Sequence, residues 1–154
     1  MKKKLKAVLF DMDGVLFNSM PYHSEAWHKV MKSPGLTLSR EEAYMHEGRT
    51  GAATINIVFQ RELGREATQE EIESIYQEKS VLFNSYAEAE RMPGAWELLQ
   101  KVKGEGLTPM VVTGSGQLSL LERLEHNFPG MFHKELMHTA FDVKYGKPHP
   151  EPYL

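Results

Sequence analysis

The fold is decided by the stretch KAVLFDMDGVLF, residues 6–17. Together with Leu5, its first half forms a short and nearly continuous apolar run that ends at Phe10, a pattern typical of a strand buried on both faces. Asp11 and Asp13 follow directly. Because open α/β sheets bind ligands at the carboxyl ends of their parallel strands, we expect both carboxylates to face one crevice.

Two carboxylates held this close repel each other unless a cation, a shared proton or solvent relieves the repulsion. A site made of oxygen ligands alone favours Mg2+, which binds few protein oxygens and keeps water and phosphate oxygens as its other ligands. The sequence therefore predicts Asp11 and Asp13 as ligands of Mg2+. The alternative is a loop with two solvated acids after a core strand.

The composition is that of a globular protein. The chain has 154 residues, a formal net charge of -3 and no cysteine, so disulfides and thiolate metal ligands are excluded. No apolar run approaches the roughly 20 residues of a membrane helix, and the run behind the basic start MKKK is too short for a signal peptide. The other basic residues are scattered, which argues against a nucleic-acid surface. We expect a cytoplasmic protein with no membrane and no nucleic-acid partner.

A long helical stretch follows the first strand. Strand connections in doubly wound domains are normally far shorter, so residues 19–89 are predicted to be an inserted all-helical cap, with residues 1–18 and 90–154 as a Rossmann-like core. The cap helices are predicted from about Met20 to Lys32, from a capping box at Ser39 with Glu42, through Ile55 to Gly64, and from a cap at Thr68 through Phe83.

The remaining chain alternates between helix and strand, which predicts a parallel, right-handed βαβ core with the cap over its active end. The glycines after the second strand are expected to open the next helix, with Leu118, Leu121 and Leu124 as its buried stripe. The predicted elements are a helix from Ala95 to about Gly104, a strand from Thr108 to Thr113, a helix up to about His126 and a weaker strand from Leu136 to Phe141.

The stretch VLFDMDGVL, residues 8–16, resembles the first motif of the haloacid dehalogenase superfamily of phosphotransferases. Its continuation FNSMPYHSEAW, residues 17–27, is similar to the beta-phosphoglucomutase-like subfamily. The resemblance implies that Asp11 attacks phosphorus to form an aspartyl phosphate, and that Asp13 protonates the leaving group and then activates water. It also implies a cap that closes over the substrate and shuts out bulk water.

Two later motifs strengthen the resemblance. Thr113, Gly114 and Ser115 match the second motif, and a hydroxyl with loop amides near a helix N-terminus is a favourable phosphate site. Lys147 matches the third motif, in which the ammonium bridges the nucleophile and the transferred phosphoryl group. Lys144 is a competing cation, and a solvated lysine or a strand-ending threonine without function is the alternative at these positions.

The cap contributes candidate specificity residues. His23 and Trp27 share a helical face, which indicates either a functional histidine or a ring packed on a ring at the cap hinge. Glu47 and Arg49 lie where the subfamily has its substrate-specificity loop, and Arg49 could grip a phosphate bidentately. Lys79 aligns loosely with a cap lysine of the family, although a solvated surface charge is the simpler expectation.

The chain departs from the family pattern in two ways. Asn18 stands where many subfamily members have aspartate, which removes a carboxylate near the hinge. The chain also ends at Leu154, directly after the third motif, whereas the fourth motif of the family lies farther on. We therefore expect a C-terminally incomplete core, with further metal ligands beyond Leu154 and an open edge beside the first strand. Residues 1–154 alone are expected to bind Mg2+ weakly and to be weakly active or inactive. The complete protein is expected to be a monomer.

The leading functional hypothesis is a Mg2+-dependent phosphohydrolase that acts through an aspartyl phosphate on pyrophosphate or a small sugar phosphate. A beta-phosphoglucomutase-type sugar-phosphate mutase is the alternative within the same class. From other classes, a phosphoacceptor signalling module or a non-catalytic phosphate-binding protein stay open. Signalling modules of this kind are compact and have no helical lid, so the long insert argues against them.

Overall fold

The computed structural model describes residues 4–154 as an α/β structure with a small parallel sheet and a helical insert, which confirms the predicted fold class. Most of the basic start MKKK, and the first residues of the expected core segment 1–18, lie outside the described residues. The strands are β1 (Ala7–Phe10), β2 (Thr108–Val112) and β3 (Met137–His138), in the order β1-β2-β3, and both neighbouring pairs are parallel.

Five of the helices lie between β1 and β2, where the sequence predicts them, and the first four of these fall within residues 19–89. The helices are α1 (Met20–Lys32), α2 (Arg40–Met45), α3 (Gly51–Leu63), α4 (Gln69–Asn84), α5 (Ala95–Gly104) and α6 (Leu118–Asn127). Short 3-10 turns follow at Lys134–Leu136 and Glu151–Tyr153. No helix in residues 4–154 is both long and apolar enough to cross a membrane.

Side-chain caps determine where the inserted helices begin. Thr68 and Glu71 form the complete capping box that starts α4. Ser39 accepts a hydrogen bond from the Glu42 amide at the start of α2, but the predicted return bond is not formed, because the Glu42 carboxylate pairs with Arg61 instead. Sequence analysis missed the cap of α3, where the Thr50 hydroxyl accepts a hydrogen bond from a backbone amide.

Two apolar clusters hold these elements together. The first fills the space between the sheet and helices α5 and α6, and Phe10, Leu99 and Leu120 belong to it. The second lies among α1 to α4 and includes Trp27 and Phe59. Burial of such side chains is the main stabilising contribution in each cluster.

The prediction that β1 is buried on both faces is wrong for the described chain. Val8 and Phe10 belong to the first cluster or pack against it, whereas Leu5 is 65% and Leu9 45% exposed. Leu5 and Leu9 pack against neither apolar cluster, so this face of β1 is partly uncovered, and β1 is also an edge strand with only β2 beside it. The apolar run therefore correctly predicted a strand, but it did not predict that one face of the strand is exposed.

The segment after β2 also differs from the prediction. The helix begins at Leu118, with Gln117 as its N-cap residue, so the glycines at 114–116 form a loop before the helix rather than its first turn. Leu120 and Leu124 are its buried residues, while Leu118 is exposed. The third strand is only Met137–His138, because the residues before it form a 3-10 turn.

Candidate active site

Asp11 and Lys147 meet at the carboxyl end of the sheet. Asp11 directly follows β1, and its Oδ2 lies 2.8 Å from Nζ of Lys147. Its Oδ1 accepts a hydrogen bond from the amide of Met12. The two side chains are 25% and 15% exposed, so this ion pair is partly withdrawn from solvent. Lys144, the competing cation, instead lies over the ring of Tyr145.

Asp13 is buried beside this pair and is only 4% exposed. Its Oδ1 accepts hydrogen bonds from Oγ of Ser19 at 2.5 Å and from Nε2 of His23 at 2.9 Å. Burial by itself raises the pKa of Asp13, but the pairing with His23, followed by the Ser19 hydroxyl and the more distant Lys79, outweighs this effect and lowers the pKa to about 2. The carboxyl group is therefore ionised at neutral pH.

His23 connects Asp13 to the cap helix α4. Its Nδ1 lies 2.8 Å from Nζ of Lys79, and its ring stacks on Phe83 with centroids 4.3 Å apart. We expected the ring of His23 to pack on Trp27, but it stacks on Phe83. An ionised carboxylate accepts hydrogen bonds only, so Nε2 carries the proton and Nδ1 accepts from the lysine. Burial and the charge of Lys79 lower the pKa of His23, which keeps the ring neutral.

Lys79 corrects the expectation of a solvated surface charge, because it is only 2% exposed. Its ammonium lies 5.2 Å from the ring centroid of Phe83 and 5.5 Å from those of Trp27 and Tyr76. The side-chain oxygen of Gln117 accepts a hydrogen bond from the Lys79 ammonium at 3.3 Å. Burial lowers the pKa of Lys79 to about 8. The sequence signal was its place on the apolar stripe of α4.

Glu47 and Arg49 lie in the loop between α2 and α3, and both line a crevice that also contains Asp13 and His23. The Glu47 residue is exposed to solvent although it lines this crevice. The protein around it, followed by the charges of Asp13 and Asp11, raises the pKa of Glu47 to about 7. Its carboxyl group therefore faces the aspartate pair closely enough to feel both charges.

Gly114 and Ser115 line the same crevice, after the buried Thr113. The hydroxyl of Thr113 accepts a hydrogen bond from the amide of Ser115 at 3.0 Å, and the amide of Thr113 donates to the carbonyl of His138 in β3. These bonds fix the loop against the sheet.

The loop between α2 and α3 rests directly on the loops of the core. A Cβ atom on Gly114 would lie 2.2 Å from the carbonyl oxygen of Gly48, and one on Gly146 would lie 2.8 Å from the amide nitrogen of Thr50. The crevice under this loop has a volume of about 40 Å3. That volume holds a few water molecules but no sugar phosphate. The loop between α2 and α3 is therefore packed closely on the loops after β2 and β3.

The carboxylates fit part of a Mg2+ site. Asp11, Asp13 and Glu47 bring mutually repelling charges to one crevice, as the raised pKa of Glu47 indicates, and a hard cation relieves such repulsion. In the described part of the chain, however, no group of three or more such side chains has the arrangement of a complete metal site. The donor set therefore suits an ion that takes its other ligands from water and phosphate.

Sequence analysis missed three polar side chains of this region, namely Ser19, Tyr76 and Gln117. Ser19 occupies the N-cap position of α1, where a hydroxyl normally caps the helix, but its hydroxyl bonds Asp13 instead. Tyr76 accepts a hydrogen bond from the amide of Gly116. Their spacing in the sequence carries no signal for these contacts, which join residues from distant segments.

Comparisons with known proteins agree with this geometry. A family model described as a hydrolase, the haloacid dehalogenase-like hydrolase, matches residues 5–154. The phosphorylated carbohydrates phosphatase of Thermotoga maritima is 28% identical over 151 residues, which are 97% of this chain and 68% of that protein. Hexitol phosphatase A of Escherichia coli is 29% identical over 156 residues, which are 98% of this chain and 67% of that protein.

Solved structures of related proteins share the fold of this chain. A protein from Bacteroides vulgatus, described as a candidate beta-phosphoglucomutase, is 71% identical with a TM-score of 0.93. The match covers 97% of this chain and 60% of the B. vulgatus chain. A beta-phosphoglucomutase from Clostridium difficile shares the fold at 22% identity, with a TM-score of 0.78 over 97% of this chain and 68% of its own. The chain thus spans about two thirds or less of the length of these relatives.

Proposed function

This chain belongs to the haloacid dehalogenase-like hydrolases, which are enzymes of the phosphatase and phosphotransferase type, and we propose that it carries the reacting groups of a Mg2+-dependent phosphohydrolase. The observation that carries the proposal is the ion pair between Asp11 and Lys147 at the end of β1, whose charges act on Glu47 together with that of the buried Asp13. A small phosphorylated substrate fits the names of the curated relatives.

Asp11 is the proposed nucleophile. Its carboxylate oxygen forms a bond to phosphorus while the bond from phosphorus to the leaving oxygen breaks, which gives an aspartyl phosphate. The ammonium of Lys147 lies 2.8 Å from this carboxylate and offsets the negative charge that a phosphoryl group brings to it. The hydroxyls of Thr113 and Ser115 and the amide of Gly114 are proposed to bind the phosphoryl oxygens.

Asp13 is the proposed acid and base of the reaction. Ionised as it is at neutral pH, its carboxylate accepts a proton from the water that attacks the aspartyl phosphate in the second step. In the first step the same group, when protonated, is proposed to give its proton to the leaving oxygen. Pyrophosphate and a small sugar phosphate are the two proposed substrates.

Mg2+ bound near Asp11 and Asp13 would supply positive charge to the phosphoryl oxygens and relieve the repulsion between the carboxylates. Glu47 lines the same crevice, and the charge of the ion is proposed to lower the raised pKa of its carboxyl group. Residues 19–89 are proposed to act as the cap, which must lift to admit a substrate because the closed crevice is too small for one. Arg49 on its loop offers a bidentate contact to a second phosphate group.

A sugar-phosphate mutase is the second candidate, because the B. vulgatus protein that is 71% identical is described as a candidate beta-phosphoglucomutase. The two candidates differ in whether water or a sugar hydroxyl receives the phosphoryl group. One experiment separates them: release of inorganic phosphate is measured with Mg2+ and pyrophosphate, glucose 1-phosphate or a hexitol phosphate. Phosphate release favours the hydrolase, while conversion of glucose 1-phosphate to glucose 6-phosphate without release favours the mutase. Absence of both reactions in a protein that spans the full length of these relatives contradicts the proposal.

A further inference from the structure

Glu151 uses both oxygens of its carboxylate to bind two consecutive backbone amides of the loop after β3. Its Oε1 accepts a hydrogen bond from the amide of Lys144, and its Oε2 accepts one from the amide of Tyr145, each at 2.9 Å. Hydrogen bonds to an ionised carboxylate are stronger than those between neutral groups. The bond from Lys144, followed by that from Tyr145, lowers the pKa of Glu151, so the group is ionised at neutral pH. The carboxylate therefore joins this loop to the turn that follows it.

Few other hydrogen bonds hold the backbone that leads up to Lys147. Within residues 4–154, the other backbone bond of residues 143–147 runs from the amide of His149 to the carbonyl of Gly146, and both of these residues lie in the same loop. The segment also belongs to no strand or helix. Loop backbone with so few bonds opens at low cost in free energy. In the described chain, Glu151 is thus the side chain whose hydrogen bonds keep this segment in place.

Glu151 is itself held in a defined position. It begins the 3-10 turn Glu151–Tyr153, whose middle residue, Pro152, is buried. The carbonyl of Glu151 accepts a hydrogen bond from the amide of Leu154, and its amide donates to Nδ1 of His149 at 3.2 Å. Because both backbone groups of Glu151 are bonded, its carboxylate extends from a fixed point on the chain.

The loop bound by Glu151 leads directly to Lys147. Nζ of Lys147 lies 2.8 Å from Oδ2 of Asp11. The stem of this lysine passes close to Gly48, where an added Cβ atom would lie 3.2 Å from Cδ of Lys147. The flexible four-carbon stem reaches the carboxylate only from a suitable backbone position, and Gly48 leaves it little room to adjust. A backbone shift of about 1 Å would therefore draw the ammonium away from Asp11, and shifts of this size are costly in active sites.

We propose that Glu151 is a positioning residue that holds the backbone of residues 144–145 and thereby places the ammonium of Lys147 against Asp11. None of the bonds of its carboxylate in residues 4–154 runs to Lys147 or Asp11, so it acts through the loop between them. The consequence for catalysis rests on the proposed function, whereas the position of the ammonium does not.

Two substitutions of Glu151 and one matched control test this role. Glu151→Ala removes both acceptors. Glu151→Gln keeps the size of the side chain but replaces one acceptor oxygen with an NH2 donor, and it serves if the alanine variant does not fold. Glu125 provides the control, because its Oε1 accepts a hydrogen bond from the amide of Gly130 at 3.0 Å in the turn after α6. Glu125→Ala removes a bond of the same kind in a different loop.

The first test needs no turnover. Amide hydrogen exchange of residues 144–145, measured by NMR, should be about tenfold faster or more in both Glu151 variants. Acetylation of Lys147 by acetic anhydride, measured by mass spectrometry of its peptide, should be about fivefold faster or more in the same variants. Glu125→Ala should match wild type in both rates. Faster amide exchange with an unchanged acetylation rate of Lys147 would overturn the proposal, because the loop would then open without moving the ammonium. Unchanged amide exchange would overturn it as well.

The second test asks whether Glu151 affects the rate through Lys147. Glu151→Ala should lower kcat on the best substrate about tenfold or more with little change in KM. The same substitution in a Lys147→Met protein should cost no further rate, because two residues that act through one group have non-additive effects. A wild-type protein without activity would contradict the proposed function alone, and the acetylation rates would still decide the role of Glu151. An equal fold loss in the two backgrounds would refute the proposal and indicate a general effect on the fold.

Discussion

Lys147 Nζ and Asp11 Oδ2 lie 2.8 Å apart, which joins the loop after β3 to the end of β1. The pair is partly buried, so its attraction is less screened than that of a surface ion pair. Because the carboxylate is the proposed attacking group, the lysine is well placed to stabilise the charge that builds up on a transferring phosphoryl group.

Replacement of this lysine should therefore reduce the rate. Lys147→Met is expected to lower kcat on the best substrate by about 100-fold or more, as loss of a transition-state charge partner typically does. Lys144→Met is the matched control, since Lys144 is exposed and lies over Tyr145, and it should keep nearly full activity. Steady-state kinetics measure both variants, and equal losses would contradict the role given to Lys147.

The two aspartates should fail at different steps. Asp11→Asn should abolish both turnover and phosphorylation of the protein, because an amide is too poor a nucleophile to attack phosphorus. Asp13→Asn should still form some phosphoprotein but hydrolyse it slowly, because no base remains to activate water. Mass spectrometry of acid-quenched samples measures the phosphoprotein. Substantial steady-state activity in Asp11→Asn would exclude it as the nucleophile.

The raised pKa of Glu47 predicts how the stability of the folded protein changes with pH when no metal is added. Its pKa is raised in the folded protein to about 7 from 4.5, so between these values the folded state binds more protons than the unfolded state. Stability should then fall as pH rises from about 4.5 to 7. Glu47→Gln should remove this dependence on pH. The stability of the variant minus that of wild type should therefore be larger at pH 8 than at pH 5. Thermal unfolding at the two pH values measures the difference, and added Mg2+ should reduce it.

Arg49 should affect substrate binding more than chemistry, because it lies on the loop that covers the crevice rather than next to Asp11. Arg49→Ala is expected to raise KM for pyrophosphate about tenfold or more while kcat changes little. The same substitution should affect a monophosphate ester less. Equal effects on both substrates would remove Arg49 from the recognition of a second phosphate.

Strand and helix positions, and the residues that gather at the carboxyl end of the sheet, follow from local patterns. Asp11, Asp13 and Thr113 each come at or just after the end of a predicted strand, and parallel strands bring such ends together. The capping residues Ser39 and Thr68 likewise marked helix starts correctly.

The partners of Asp13 could not be predicted in the same way. The burial of Lys79 and its contact with Gln117 depend on how α4 docks on the loop after β2, which no local pattern describes. The exposed face of β1 was missed because apolar runs indicate strands but not what lies against each face. Gly114 to Gly116 failed to open a helix because side-chain bonds of Thr113 and Ser115 hold them as a loop.

The close approach of Gly114 to the loop between α2 and α3 gives the sharpest test of cap closure. A methyl group on Gly114 would lie 2.2 Å from the Gly48 carbonyl oxygen and 2.8 Å from that of Arg49, and both are backbone atoms that cannot step aside alone. Gly114→Ala should therefore prevent the closed arrangement and lower kcat/KM strongly, while the sheet stays folded. Gly104→Ala is the matched control, because nothing lies within 4 Å of its added methyl group and alanine favours the end of α5. Steady-state kinetics and thermal unfolding of the two variants decide the matter. If Gly114→Ala kept the activity of Gly104→Ala, contact between these loops would not be needed for turnover.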